Sequence, residues 1–558
     1  MRFLDTPLRY WRTVRYLKPV QIYARVWHRW YRPGISMAGA DPFRLPVGRW
    51  HPVPRTPRQL GPRHFRFLGV ERHLSTAADW NHPAWPKLWL YNLHYFEDLV
   101  ATDAAQRVAW HRDLIARWIA ENPVGVGNGW EPYPTSLRLV NWGKWLLAGN
   151  TPSEEMRQSM ALQARHLEGR LEYHLLGNHL WANLKALLFC GCLFDGQEAD
   201  RWQAAGLRAF RTQLTEQILP DGGHFERSPM YHALLFEDLL DLLQLTERFP
   251  ERLPASDIAS WRETARRMGA WLRTMCHPDG EIAFFNDAAF DIAARPADLD
   301  AYAARVGVAR STDRFPDSQH LTDSGYLRLV RGSAVILADA APVGPDHLPG
   351  HAHADTLSFE LSLDGSRVFV NGGTSTYEPC MQRRIERATA SHNTVTVDGQ
   401  DSSEVWGAFR VARRAFPRDV WMREEGEWIT AQASHNGYRR LPGKVIHHRR
   451  WALHSDGLKV DDLLTGSFTT AVSRFRLTPG WKVMIDDSQS GRLKSTLRTI
   501  RFRCLQGSII TENAEWHPEF GHTISAEVIA VQCDSGGSSM AFWWSDTTPT
   551  SMQSSIQS

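Results

Sequence analysis

The stretch Leu348–Gly365, LPGHAHADTLSFELSLDG, decides how this 558-residue chain is read. Its second half alternates apolar and polar residues and ends in Asp364-Gly365, the pattern of a strand running into a tight hairpin turn. Its first half spaces His351, His353 and Asp355 two residues apart, so on an extended backbone all three share one face. Three readings fit: ligands of one metal, an acid–base site, or a strand start that carries histidines. His-x-His spacing alone is weak evidence for a metal.

Outward from this stretch the hydrophobic period divides the chain. From about residue 320, GYLRLVRG, AVILADA, RVFVNGG, NTVTVDGQ, WALHSDGLKVDDLL and AVSRFRLTPG follow period two, with further Asp-Gly pairs at Asp398-Gly399 and Asp456-Gly457. This half reads as an antiparallel β-sandwich. Between about 85 and 300, segments such as QRVAWHRDLIARWIAEN, WANLKALLFCGCLF and SPMYHALLFEDLLDLLQLTERF repeat apolar residues at i, i+3, i+4 and i+7. Breaks such as LPDGG and ERFPERLP separate them, and stacked helical hairpins or an α/α-toroid follow. The expected fold is α+β and multidomain. Residues 1–75 form a basic aromatic segment, 76–315 the toroid, 316–535 the sandwich and 536–558 a Ser/Thr-rich tail.

Composition narrows the function. A net charge of +3 gives no reason to expect nucleic acid as a partner. Six scattered cysteines without CxxC spacing argue against a zinc ribbon or a disulfide framework. The 24 tryptophans suit a Trp-rich helical core, with room for a few along a carbohydrate groove. The first 33 residues interleave Arg9, Arg12, Arg15, Lys18, Arg25 and Arg29 with Tyr10, Trp11, Tyr16, Tyr23, Trp27 and Trp30. They lack the apolar run and cleavage site of an ordinary signal peptide. Either a peripheral contact with an anionic membrane or a helix packed on the main domain fits them. The expected compartment is the cytoplasm or the inner face of the membrane, with the periplasm as the alternative.

Four stretches collect catalysis-capable side chains. In LLGNHLWANLKALLF, Asn178 and His179 enter a helix, where Asn178 also suits an N-cap. In DGGHFERSPMYHALLF, Ser228 suits an N-cap and Pro229 the first helical position, which puts Tyr231 and His232 in the first turn. The loop before it holds Glu226 and Arg227. The HAHAD stretch is the third. The fourth is RIERATASHNTVTVDGQ, where His392 follows Arg383, Arg384 and Arg387, side chains that could meet an anion or only be solvated. No nucleophile elbow, P-loop or dinucleotide fingerprint is present.

Taken together, G-N-H-L at 177–180, D-G-G-H-F-E-R-S-P-M-Y-H at 221–232, H-A-H-A-D at 351–355 and S-H-N-T-V at 391–395 resemble the heparinase II/III-like polysaccharide lyases, in that family's order and spacing. WEPYPTSLRLVNW and KLWLYNLHYFEDL are similar to the family's N-terminal half, and the likeness is strongest to the branch of bacterial exopolysaccharide clusters. The resemblance implies β-elimination on an acidic, uronate-containing polysaccharide. It implies that Asn178 and His179 neutralise the carboxylate, that Tyr231 serves as base, acid or both, and that His351 is the second acid–base group. It further implies a divalent metal, zinc or calcium, on His353, His392 and the residue at the family's aspartate position, here Asn371. An amide is a poorer zinc ligand than a carboxylate. An acid found in some members three positions after His179 is here Ala182. Arg138, Arg227, Tyr377 and Arg387 are the expected substrate contacts. A non-catalytic polysaccharide-binding or assembly factor, and a metal-dependent hydrolase using His351, His353 and Asp355, are the other readings.

Overall fold

In the computed structural model, residues 2–309 and 317–545 are described. Two helices, α1 (Arg2–Val14) and α2 (Pro19–Trp30), open the chain. An extended arm then runs along the helical half, donating from Arg44, Val47 and Trp50 to the carbonyls of Leu193, Arg248 and Leu147. Those carbonyls lie at helix C-termini, which would otherwise lack partners. A three-stranded sheet over Gln59–His73 completes this segment.

The helical half is an α/α-toroid. Helices α3 (Lys87–Tyr95), α5 (Pro132–Leu147), α7 (Gly177–Leu193) and α9 (Pro229–Arg248) pack in succession as an inner row. Helices α4 (Val108–Glu121), α6 (Glu154–Glu168), α8 (Gly196–Gln217) and α10 (Ala255–Thr274) lie outside them. Sequence explains the division. In α7 every residue except His179 is buried, because Leu, Ala, Phe and Cys occupy all sides, whereas α8 buries only a stripe that includes Trp202, Gly206 and Phe210. A short helix, α11 (Pro296–Arg305), ends the half. The expected boundary at 315/316 lies outside the described residues.

The β half stacks an eight-stranded antiparallel sheet against a five-stranded and a four-stranded sheet. Leu329, Ile336, Phe369, Phe475 and Ile529 from the smaller sheets pack against Trp451, Val460, Phe502 and Phe542 from the large one. The expected hairpin after LSFELSLDG forms, with Asp364 and Gly365 both at positive φ (47° and 80°). Two expectations need correction. His351–Asp355 are not on a strand, since the strand begins at Phe359. The tail does not begin at 536. Gly537–Trp543 is a buried strand between Gly457–Thr465 and Thr499–Gln506. Its serines disguise it: Ser538 faces inward and donates to the buried Asp462, while Ser539 on the other face donates to Asp461. Residues 546–558 of the expected tail lie outside the described residues.

One buried network ties the large sheet to the loop that carries the histidines. Asp462 accepts from Arg449 at 2.7 and 2.8 Å, faces His447 at 2.7 Å and accepts from Ser473 at 2.7 Å. Arg449 in turn donates to the carbonyl of Leu357 at 2.9 Å. Leu357 sits at φ 64°, in the left-handed region, just before the strand. Replacing Asp462 with Ala leaves Arg449 buried without its carboxylate. The expected loss is about 3–5 kcal/mol of unfolding free energy in denaturant titration. An effect within about 0.5 kcal/mol, the size of a surface substitution, would remove the network from this account.

Candidate active site

A cavity of about 790 Å³ opens where the toroid, the sandwich and the N-terminal arm meet. The toroid contributes Tyr133, Asn178, His179, Glu226 and Tyr231, and the sandwich contributes His351, Tyr377, Phe409 and Phe520. The tip of the long hairpin Ser508–Gln532 closes one side: Gly521 donates to the Ser375 carbonyl and approaches Leu68 closely. The aromatic lining is tyrosine and phenylalanine. Most of the tryptophans serve the core instead, with Trp142, Trp181, Trp202 and Trp261 fully buried.

The toroid wall is built by two helix starts. Ser228 caps α9 through its hydroxyl, which accepts from Tyr231 N at 3.1 Å, and Pro229 fills the first helical position. This presents Tyr231 to the cavity. Gly177 opens α7 at φ 53°, and a Cβ there would lie 2.4 Å from Leu348 and 2.8 Å from the Glu226 carboxylate. Only glycine allows the loop before HAHAD and the Glu226 loop to close on this turn. Asn178 and His179 follow in the first turn. His179 keeps 30 % of its side chain exposed, and its Nδ1 lies 3.1 Å from Glu172 Oε1. Glu172 also accepts from Asn183 at 3.0 Å. Burial works most strongly, against a charged imidazole, but the charge and hydrogen bond of Glu172, with the charges of Glu226 and Glu131, together outweigh it and raise His179 above its ordinary value.

The opposite wall is organised by a residue that the sequence did not single out. Asp287, fully buried in FFNDAAF, receives His351 Nδ1 at 2.9 Å and His353 Nε2 at 2.8 Å. Arg383 clamps it with both guanidinium ends, one at 2.7 Å. Burial would raise this carboxyl, but Arg383 and the two histidines hold it well below the usual carboxylate range. With Nδ1 turned to Asp287, His351 presents Nε2 to the cavity as an acceptor. Its ring lies against Tyr231 with centroids 3.8 Å apart, and the Tyr231 hydroxyl meets the Tyr377 hydroxyl at 3.0 Å. Burial, then Tyr377 and Asp287, push Tyr231 well above its ordinary value, so its resting form is the neutral phenol. Glu226, which the sequence places only in the loop before α9, also lines the cavity. It is 2 % exposed, neither carboxylate oxygen has a hydrogen-bond partner, and Oε2 lies 3.7 Å from His351 Nε2. Burial raises its pKa.

The expected site residues therefore separate. Asn178, His179, Tyr231, His351 and Tyr377 come together on the cavity. Arg138, Arg227 and Arg387 do not line it. Arg138 is buried over Trp118 and bonds Gln163 and the Gly129 carbonyl. Arg227 donates to the carbonyls of Ser324 and Phe225, and Arg387 to that of Ala352. All three hold loops by their backbone, a use of arginine that sequence does not distinguish from anion binding. The metal reading does not fit the side chains either. His353 Nδ1 and His392 Nε2 approach to 3.2 Å, but Asn371 turns away from them. Its amide donates to the Phe284 carbonyl at 2.9 Å and accepts from Asn393 N at 3.1 Å. Among the described residues no group of three His, Cys, Asp or Glu side chains could hold a metal. Asp355 accepts from Asn286 N at 2.9 Å and supports the turn before Asp287. A signal for that turn existed: Asn286 adopts φ 58°, a conformation that Asn tolerates better than most residues.

Known proteins share this architecture. The chain is similar to a crystal structure of heparinase III with a TM-score of 0.66, at 17 % identity over 94 % of this chain and 85 % of that one. A heparan sulfate lyase mutant from Pedobacter heparinus gives 0.61, at 17 % identity over 95 % and 89 %. In sequence, a heparin-sulfate lyase from Pedobacter heparinus is 26 % identical over 324 residues, 51 % of this chain and 47 % of that protein, so the match spans about half of the lyase's length. FtsZ-localized protein C from Caulobacter vibrioides is 27 % identical over 469 residues, 76 % of each protein. Residues 153–321 match the heparinase II/III N-terminus and residues 313–545 the heparinase II/III-like C-terminal domain. With both halves matched in order across the two walls of the cavity, the chain belongs to the heparinase II/III-like family.

Proposed function

We propose that this protein cleaves a uronate-containing polysaccharide by β-elimination in the cavity between toroid and sandwich. The observation that carries the reading is the stacked pair of His351, with Nε2 free, and Tyr231, with its phenol protonated. Asn178 and His179 share the cavity with them. In this mechanism the uronate carboxylate binds Asn178 and the imidazolium of His179, which stabilise the enolate-like intermediate. Glu226, biased by burial towards its neutral form, donates to the same carboxylate. His351 Nε2 takes the C5 proton and Tyr231 gives its phenolic proton to the leaving O4. The C4–O4 bond breaks as the C4–C5 double bond forms, and His351 returns a proton to Tyr231 across the ring stack. No step runs through a metal.

The cavity also constrains the glycan. Its lysines and arginines are already matched by carboxylates: Arg55 with Glu237, Arg58 with Asp291, Lys87 with Glu131, Lys144 with Asp241 and Lys185 with Asp238. Sulfate groups would find no uncommitted lysine or arginine among these lining residues. A polymer whose negative charges are carboxylates fits better. A second reading, a glycan-binding factor without turnover, draws on the similarity over three quarters of its length to a protein named for localisation with FtsZ rather than for catalysis.

Tyr231→Phe keeps the ring stack and removes the acid. The expected result is a drop of about 10²–10⁴-fold in the near-ultraviolet absorbance of unsaturated product, at unchanged melting temperature. Full activity would take Tyr231 out of the mechanism, and glycan binding without product in the unaltered protein would select the second reading. His179 has a raised folded pKa, so its charge is complete below its unfolded value and is lost as pH rises through the folded one. KM should therefore climb with pH across that range. Glu172→Gln should move the climb to lower pH, and identical profiles would exclude Glu172 as the tuning group. Because Asn371 is committed to backbone groups, excess chelator should change neither melting temperature nor turnover. A chelator-dependent loss of either would restore the metal.

A further inference from the structure

We infer that the N-terminal helical hairpin is a seat for an anionic lipid bilayer surface, which holds the whole enzyme-like body against a membrane. The first observation is where exposed apolar side chains collect: ten of the 27 large ones among the described residues lie between Leu8 and Tyr31. On α2 they are Ile22, Tyr23, Val26, Trp27 and Trp30, at i, i+1, i+4, i+5 and i+8, a continuous stripe along one side of the helix. Trp27 is 60 % and Trp30 82 % exposed. Tryptophan is costly to leave in water, and a contiguous exposed apolar face marks an interaction surface.

The second observation is charge. Between Pro7 and Arg32 the sequence has seven arginines and lysines and no acidic residue. Arg9 pairs with Glu404 and Lys18 with Glu216, but Arg12, Arg25, Arg29 and Arg32 have no carboxylate partner among the described residues. Aromatic side chains at headgroup depth, flanked by uncommitted arginines, complement a surface that is apolar inside and negative outside. A protein partner with an apolar patch would not require this one-sided charge. No helix among the described residues is long and apolar enough to cross a membrane, so the contact is with the surface.

The third observation is that the hairpin is fixed to the body rather than dangling from it. The reverse side of α2 buries Gln21, which donates to the His347 carbonyl at 3.1 Å, and stacks His28 on His174 at 4.1 Å. On α1, Tyr10 packs edge-on against Trp406, and Thr13 accepts from its indole at 3.1 Å. The helices thus grip the toroid through Glu216 and His174 and the sandwich through Glu404 and Trp406. Their outward side is left unpartnered although the inward side is specific, and a bilayer contact there would set the orientation of the cavity mouth. This inference is independent of the lyase reading.

The test is co-sedimentation of the full chain with phosphatidylglycerol–phosphatidylcholine vesicles and with pure phosphatidylcholine vesicles. Binding should occur with the anionic vesicles, weaken with added salt, and be at least about tenfold weaker in Trp27→Ser/Trp30→Ser and in Arg25→Glu/Arg29→Glu. Both pairs are exposed, so melting temperature should not change. Failure to bind anionic vesicles overturns the inference, and so does binding that neutral vesicles match or that the charge reversal leaves intact. A concentration-dependent dimer abolished by the tryptophan pair, without vesicle binding, would assign the face to a second copy instead.

Discussion

Asp287 carries a full negative charge with no exposure to solvent, and much of the site depends on how that charge is compensated. An isolated buried carboxylate costs several kcal/mol, so its partners are structural necessities before they are catalytic ones. Arg383 supplies the opposite charge from the sandwich, and His351 and His353 use the remaining lone pairs. The main chain of the same residue bridges the two halves: its carbonyl accepts from Ser228 of the toroid at 2.5 Å, and its N–H donates to the His351 carbonyl of the sandwich at 2.9 Å. Ser228 is the cap of α9, the helix that presents Tyr231. One residue therefore sets both the tautomer of the histidine and the position of the tyrosine stacked on it. Separation of the two halves would expose the charge and dissolve the pair together.

This explains why the site was only half legible in the sequence. Asn178, His179, Tyr231 and His351 stand in short motifs whose residue types announce chemistry. The period change from 3.6 to 2 located the two halves because burial on one face leaves a repeating trace. Asp287 left no such trace. It is a single aspartate in a turn, and its partners come from three separate stretches, at 351–353, 374 and 383. The arginines misled for a related reason. Arg138, Arg227 and Arg387 bind backbone carbonyls inside the protein, a role that composition and spacing cannot separate from binding an anion. Gly537–Trp543 was hidden because its serines answer aspartates on the neighbouring strand, one on each face, so a central strand carries the composition of a tail.

Asn371 shows how a position can keep its place and change its task. Its amide bridges the Phe284 carbonyl and the Asn393 amide, while its own N–H donates to Glu360 at 2.7 Å. Glu360 also meets His277 at 2.7 Å, so the strand is stitched to the helical half by neutral and charged hydrogen bonds. A carboxylate at 371 could accept but not donate, and the Phe284 carbonyl would be left opposite a negative oxygen. The amide satisfies both neighbours, which a carboxylate, having no donor, could not. His353, without that third ligand, is bonded to Asp287 on one nitrogen and faces His392 on the other, and burial holds both imidazoles below their ordinary values.

The electrostatics of the cavity point the same way. Its lysines and arginines are neutralised within the protein, and Glu226 lies buried among them without a cation of its own closer than His351 Nε2 at 3.7 Å. On the proposed function, a wall arranged like this favours a chain charged by carboxylates over a densely sulfated one, and takes a carboxylate best where a proton or an imidazolium is on hand. That condition is met in one place, between Glu226, Asn178 and His179, because the closely packed Gly177 turn brings the three together. In the proposed mechanism, recognition and chemistry therefore share the same few side chains. Under the proposed mechanism, a free arginine added to the wall would oppose the burial that raises the Glu226 pKa and so weaken the donor offered to a uronate carboxylate.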